Sequence, residues 1–503
     1  MIFMLQIVKK HQYIIYGVLI FLFFYVFYTR IEPIMVSDPD DWTYIGYTRI
    51  PVPLWKNWNP AKVMPETLEG ILGSVAAFFV YPITGDYISS FTYVFAAVVA
   101  IGITLYTLVM TKLTERVITS SKNDAIIASF FCLILHFLVF RQDVGEYNKF
   151  LLTASNLNCF CNYILPMLLN AAIAMWLVGN FAMERDADDI IKGIYIDKKN
   201  TSRYGLLLLV LYFAVFSNMA SNIVLISTCS FIVVARFITH VKAKKEFDIR
   251  NNNIFSFVKR NILYCYIFAM EIVNLIYEAN GGRAESLDWV GGYNTIQDLK
   301  EVYAQRNKLI CFLLGMICLI GIILIFISNC KPLKKALIIG YYSLFVTWIY
   351  MFLLFARIGN HKIARSENVF TLLFFVLMIT CIVVGYLLSK SKAIQCGSVM
   401  IVGLLFLYAC GGSYEPSDSY YNGDIATCYA VNNNIINQFV LADKQHMDMF
   451  ELHIPADGLG YYSFSGERIA ATLYKHKIVS SIHHPVLILE DMDYFTNSNT
   501  EVE

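Results

Sequence analysis

Long apolar runs alternate with short polar stretches along most of the chain. A run of roughly 17–25 apolar residues is long enough to cross a hydrocarbon core as a helix. The pattern predicts spans near 13–29, 87–110, 124–140, 161–183, 204–218, 221–238, 260–277, 308–328, 336–356, 369–388 and 395–410, about eleven in all. One more apolar run, 67–82, is short, is interrupted by Gly70, Gly73 and Pro82, and opens on Glu66 and Glu69. It predicts a helix at the interface that does not cross.

The cations support that count. With 67–82 not crossing, Lys112, Arg116 and Lys122 fall on the side of Lys9 and Lys10. So do Lys198, Lys199 and Arg203, then Lys242 to Lys245, Lys331 to Lys335, and Lys390 with Lys392. Cytoplasmic loops carry the excess of Lys and Arg. The N-terminus is therefore expected in the cytoplasm, as a retained signal anchor, and the C-terminus outside.

Past residue 411 the period changes. Residues 424–445 read as a helix, 448–454 alternate like a strand, Ser465 to Lys477 read as a capped helix, and Val479 to Ile482 as a second strand. The expected fold class is an all-α polytopic membrane bundle, residues 1–411, with a small C-terminal extracytoplasmic α/β domain, residues 412–503. The bundle's first external loop is 30–86.

Composition agrees: 57% of residues are hydrophobic and 15% charged, against about 25% charged in soluble domains. A net charge of +1 provides no field to attract nucleic acid. The cysteines fall mostly in apolar runs, where they act as small hydrophobes. Cys159 and Cys161 lack metal-ligand spacing, and adjacent His483 and His484 would point to opposite sides of a strand. No metal-ligand set is assigned.

The chemistry-bearing residues gather on the predicted outer side. Asp38, Asp40 and Asp41 stand with Trp42 and Tyr44 just after the first span, where Pro39 fixes a turn. Closely spaced carboxylates can supply a general base and a group that orients it or a metal. Arg283, Arg357, His361, Lys362 and Arg365 lie at outer span ends, where cations are unexpected, and could steady a departing phosphate. Snorkelling to lipid headgroups is their ordinary alternative. Glu271, Asn274 and Glu278 share one face of a helix, and a carboxylate inside a membrane is either functional or hydrogen-bonded within the bundle. Asp186, Asp188 and Asp189 read as a solvated cytoplasmic loop.

The order of these pieces resembles the GT-C superfamily of integral-membrane glycosyltransferases, and within it uncharacterised bacterial polytopic proteins near the bactoprenol glucosyltransferase-like group. The likeness rests on Asp40-Asp41-Trp42-Thr43-Tyr44 after the first span, on Asn162-Tyr163 with Pro166 opening a span, and on Asn280-Gly281-Gly282-Arg283 in a later external loop. The tail with Tyr474-Lys475-His476 is also similar. Ala154-Ser155 departs from the pattern expected before Asn162-Tyr163, which touches the acceptor site.

The resemblance implies an inverting transfer of sugar from a polyprenyl-phosphate donor to a cell-envelope glycan or lipid-linked acceptor. Asp40 or Asp41 would be the base and Arg283, Arg357 or Arg365 the phosphate holders. The expected partners are the polyprenyl-phosphate-linked sugar, membrane lipid and the glycan acceptor. The cofactor is open, a divalent cation being one candidate. Two other readings stay open: a transporter or flippase of lipid-linked saccharides, which predicts functional polar residues on both faces, and a glycan polymerase or ligase, which shares the topology.

Overall fold

The computed structural model describes residues 2–52, 58–118, 121–140, 150–154, 156–184, 201–243, 253–280, 292–304, 306–358, 363, 365–390, 397, 400–406, 408, 425–456 and 465–497. The helices in chain order are α1 (Ile2–Val26), α2 (Pro39–Gly46), α3 (Val63–Thr84), α4 (Tyr87–Ile118), α5 (Lys122–Leu138) and α6 (Leu157–Met183). Next come α7 (Thr201–Val215), α8 (Met219–Ala243), α9 (Asn253–Arg260), α10 (Ile262–Ala279), α11 (Gly292–Ala304), α12 (Lys308–Ile327), α13 (Lys331–Ile358) and α14 (Ser366–Leu388). The C-terminal part holds α15 (Ile425–Lys444), β1 (Met449–Pro455), α16 (Ser465–Lys475), β2 (His484–Glu490) and α17 (Met492–Asn497).

Among the described residues, nine helices are long and apolar enough to cross a membrane. The chain is thus an all-α multi-pass membrane bundle with a small α/β element at its end. The nine differ from the expected set. The 124–140 run is a helix of 17 residues, and 204–218 yields only the shorter apolar helix Tyr204–Val215. Of the 395–410 run, residues 397, 400–406 and 408 are described, and all are helical. The 67–82 run is longer than expected: α3 spans 22 residues without a break. Its supposed breakers serve other ends. A Cβ at Gly70 would lie 2.4 Å from the Tyr47 carbonyl, and one at Gly73 2.2 Å from that of Ile45, so both glycines let α2 lie against α3. Pro82 stands in the last turn of α3, just past a π-helical turn at Ala76–Val80.

Close contacts orient the bundle. Gly17 meets Thr104 and Leu108 while Tyr13 meets Lys112, so α1 runs antiparallel to α4. Gly102 meets Leu165 and Leu168 while Gly179 meets Leu113, so α6 runs parallel to α4. Phe370 packs on Tyr106 and Gly385 meets Thr114, so α14 does too. The end of α1 and the starts of α4, α6 and α14 therefore share one face. The chain leaves α1 and enters α4 on that face, so α2 and α3 between them make no net crossing. Both ends of α3 touch the same face: the Met64 N–H donates to Phe216 C=O at the α7–α8 turn, and Thr84 bonds Ser90 at the start of α4. The opposite face carries Lys112, Lys122, Arg236 and Lys335, with Arg236 paired to Glu184.

The C-terminal part caps the face that holds α2. β1 and β2 pair in parallel, Met449 opposite His484 and Leu452 opposite Leu487, with α16 as the crossover. The second strand lies later than the expected 479–482. Asp443 accepts from the Ser480 N–H and hydroxyl and holds His483, which fixes that stretch as a turn. These donors, with His483, hold the Asp443 carboxyl down at about 2 against a burial effect that would raise it. His483 is buried and His484 exposed, so the two rings do point apart. The cap docks through α16 on α2. The Thr472 hydroxyl donates to Trp42 C=O at 2.6 Å and Lys475 Nζ to Gly46 C=O at 2.9 Å. His476 is buried at 2.6 Å from the Tyr87 hydroxyl, and burial draws its pKa down to about 4, so it docks as a neutral ring.

Candidate functional site

The start of α2 is built by its own acids. Asp38 is the N-cap and Pro39 the first helical residue, a pairing suited to opening a helix. The Asp40 N–H donates to the Asp38 carboxylate at 2.8 Å, and the Asp38 N–H donates back to Asp41 at 3.2 Å. Asp41 is fully buried. It also accepts the Ser37 N–H at 2.8 Å and, from across the fold, the Asn158 N–H at 2.7 Å at the start of α6. Burial pushes the Asp41 carboxyl well above its ordinary value and the Asp38 charge adds to this; the three N–H donors pull against them. Asp41 therefore ties the first loop to α6.

Asp38 and Asp40 are placed otherwise. Asp38 is half-buried, and burial raises it to about 6; the Asp40 N–H opposes the rise, the Asp40 charge adds to it, and the Arg365 charge lowers it. Asp40 is exposed and pairs with Arg468 of the cap at 3.1 Å. Trp42 is wholly buried beneath α16, and Tyr44 is half-buried beside it.

Arg365, just before α14, reaches into the same corner. Its guanidinium lies 5.4 Å from the centre of the Tyr163 ring, 3.5 Å from Cys159 Sγ and 3.2 Å from Glu367. The Glu367 carboxylate raises the Arg365 pKa further, against burial, so the charge is permanent. Asn162, one turn into α6, donates to Asn158 and accepts the Asn218 amide through its backbone carbonyl. The predicted Asp38, Asp40, Asp41, Asn162, Tyr163 and Arg365 thus come together.

The others divide. Glu271 is buried and accepts the Asn222 amide at 3.2 Å; Asn222 in turn bonds Ser217, which bonds Asn170. Asn222 and Asn274 both donate to the free Val215 carbonyl at the end of α7. This group braces the α7–α8 turn. Glu278 and Asn280 lie beyond it near the end of α10, half-buried and exposed, and Arg357 is exposed in the last turn of α13. Arg283, His361 and Lys362 lie outside the described residues.

Sequence reasoning missed two participants. Glu69 on α3 is wholly buried, neither carboxylate oxygen has a hydrogen-bond partner, and it lies within electrostatic range of Asp41 and Asp40. Its signal was present, an acid inside an apolar run. Arg468 had none, because its pairing with Asp40 crosses 428 residues of chain. Among the described residues, no three His, Cys, Asp or Glu side chains gather as a metal site. Asp41 spends both oxygens on backbone N–H groups and is not free to act as a ligand.

The sequence matches no family model, and no curated protein matches it. The solved structures similar to it include three of an oligosaccharyltransferase from Archaeoglobus fulgidus. One, in complex with zinc and sulfate, has a TM-score of 0.44 and 13% identity over 94% of this chain and 62% of that one. Another, named AglB and bound to an inhibitory peptide and a dolichol-phosphate, has a TM-score of 0.42 and 12% identity over 95% and 65%. The third, the apo form, has 0.42 and 14% over 96% and 65%. This chain spans less than two thirds of the length of each.

Proposed function

We propose that the chain is a membrane glycosyltransferase that moves a sugar from a polyprenyl-phosphate donor to a cell-envelope glycan or lipid-linked acceptor. Its working face is the capped one, extracytoplasmic by the distribution of Lys and Arg. The observation that carries this reading is Asp38, half-buried and raised by burial to about 6, within electrostatic range of the Asp40 carboxylate and the Arg365 guanidinium. A base titrating near the working pH is available as carboxylate and still takes a proton readily.

The acids divide the work. Asp38 accepts the proton of the acceptor hydroxyl as that oxygen attacks the anomeric carbon. The carbon–oxygen bond to phosphate breaks, and the lipid phosphate leaves with its charge facing Arg365. Asp41, with three N–H groups on its oxygens, positions Asp38 and does not react. Asp40 joins the site to the cap. The resemblance placed the base on Asp40 or Asp41; the hydrogen bonds favour their neighbour. The outward side chains of α3, with Phe79 70% and Ile83 86% exposed, suit the carrier's hydrocarbon chain.

The test is a panel of Asp38→Asn, Asp40→Asn and Asp41→Asn in reconstituted vesicles, supplied with labelled polyprenyl-phosphate sugars and an envelope glycan acceptor. Asp38→Asn should lose transfer by about 10²–10⁴-fold, the usual worth of a general base. Undiminished transfer by Asp38→Asn removes the assignment, and label that crosses the bilayer uncleaved would replace transfer by transport.

A further inference from the structure

A second polar feature lies where α12 begins. Arg306 is 4% exposed. Its backbone bridges to Phe140 after α5, and the next N–H, of Asn307, donates to Val139 C=O at 2.8 Å, so its position is fixed from both sides. The Phe140 ring covers one face of the guanidinium, with its centre 4.0 Å away. That contact uses the face and leaves the edges free.

Nε and Nη2 are both buried and both lack a hydrogen-bond partner. Their N–H bonds point the same way from one edge, the fork that grips an oxyanion through two parallel bonds. Burial draws Arg306 down to about 10, so it stays charged at neutral pH. An enclosed charge with an empty fork is a costly arrangement that a matching anion relieves. The first turn of α12 adds to the attraction, since a helix start carries positive potential. Asn307 already fills the Leu309 and Ile310 N–H groups, so these do not compete for the ligand.

The surroundings select the anion. α12 is the most apolar of the candidate spans, and just past Arg306 it presents Leu309 and Phe312 at 65% and 64% exposure. The fork therefore lies where a membrane-spanning surface starts, at the depth of lipid phosphates. We propose that Arg306, at the start of α12 over Phe140, is a binding site for a phosphate group, carried by a lipid or free. The edge is closed to water in this state, so the ligand opens it on entry. The site needs no part of the transferase reading, because binding is measured without turnover.

The full chain in neutral detergent micelles is titrated separately with inorganic phosphate, a polyprenyl monophosphate and the uncharged polyprenol. Thermal melting and direct binding are followed. The expected result is saturable stabilisation by the polyprenyl phosphate, none by the alcohol, and at least tenfold weaker binding by Arg306→Lys, which keeps the charge and loses the fork. Saturation by inorganic phosphate at similar concentration would keep the site and make its ligand a free anion. Equal response to phosphate and alcohol, or unchanged affinity in Arg306→Lys, overturns the proposal. Should the variant not fold, phosphate-dependent hydrogen-exchange protection at Asn307 to Ile310 in the native chain decides, and its absence is equally fatal.

Discussion

The acids at α2 and the acid of α10 are handled in opposite ways. Glu271 sits among Asn222, Asn274, Ser217 and Asn170, whose amides and hydroxyl lead to helix-end carbonyls. Every link is neutral except the carboxyl itself. At α2, carboxylates lie within electrostatic range of one another, one of them raised by burial to about 6, with a permanent cation acting on it. The first arrangement satisfies a helix turn inside a membrane. The second holds charges in opposition, which stability alone does not reward and which a reaction can use. The difference separates a brace from a site more sharply than burial does.

Removing the base breaks the comparison most strongly. Transfer by the native chain should fall as pH drops through about 6, because Asp38 is raised to that value and works as carboxylate. The sign for stability is opposite. A raised carboxyl binds protons more readily in the folded chain, so its contribution is fully present below the ordinary value of 3.8 and is lost as pH rises through about 6. Asp38→Asn should therefore melt no lower than the native chain at pH 7 while losing transfer. A pH–rate profile beside melting curves checks both; an inactive variant that also melts early would make Asp38 a structural residue.

Asp41→Ala comes next. It strips the acceptor from the Ser37, Asp38 and Asn158 N–H groups. Leaving buried donors empty costs about 1–3 kcal/mol each when water cannot replace the partner. The expected outcome is a clear drop in melting temperature together with lost activity, and Asp41→Asn should recover part of the stability. A variant as stable as the native chain would mean that the tie to α6 is dispensable.

Much of the outline was legible beforehand. Helical spans follow from long apolar runs, and the Asp-Pro-Asp-Asp start of α2 is a local capping pattern that needs no tertiary information. α3 was read as broken because glycine and proline are usually punctuation; here Gly70 and Gly73 serve the contact with α2, which no local pattern reveals. The same limit hid Arg468 and Arg306. Each gains its meaning from a partner far along the chain, or from lacking one, and only packing decides which. Glu271 was visible as an acid in an apolar run, but its neutral partners come from α8 and the α7–α8 turn.

Arg468→Ala should have a smaller effect. The pair with Asp40 is solvent-facing, 37% and 52% exposed in its side chains, and such pairs contribute about 0.2–1 kcal/mol. Arg468 also donates to the Thr43 hydroxyl at 3.0 Å. The melting temperature should hardly move, while the cap becomes more open to limited proteolysis and the effect of added salt on docking diminishes. An effect of several kcal/mol would show that the cap is held by this corner and not by the buried Thr472, Leu473 and His476 surface.

Glu271→Gln is expected to change least, and for that reason tests the comparison most directly. The amide keeps an oxygen for the Asn222 donor and adds N–H groups that can turn toward the Val215 carbonyl, so the network loses a charge and little bonding. Exchanging one hydrogen-bonded group for another of the same shape costs about 1 kcal/mol or less. A brace tolerates the exchange, with transfer within about fivefold, equivalent to about 1 kcal/mol of barrier. A carboxylate that moves protons does not. If Glu271→Gln silences the protein while its melting curve stays in place, the neutral network is part of the machinery, and the functional centre extends from α2 through Asn218 and Asn162 into the membrane.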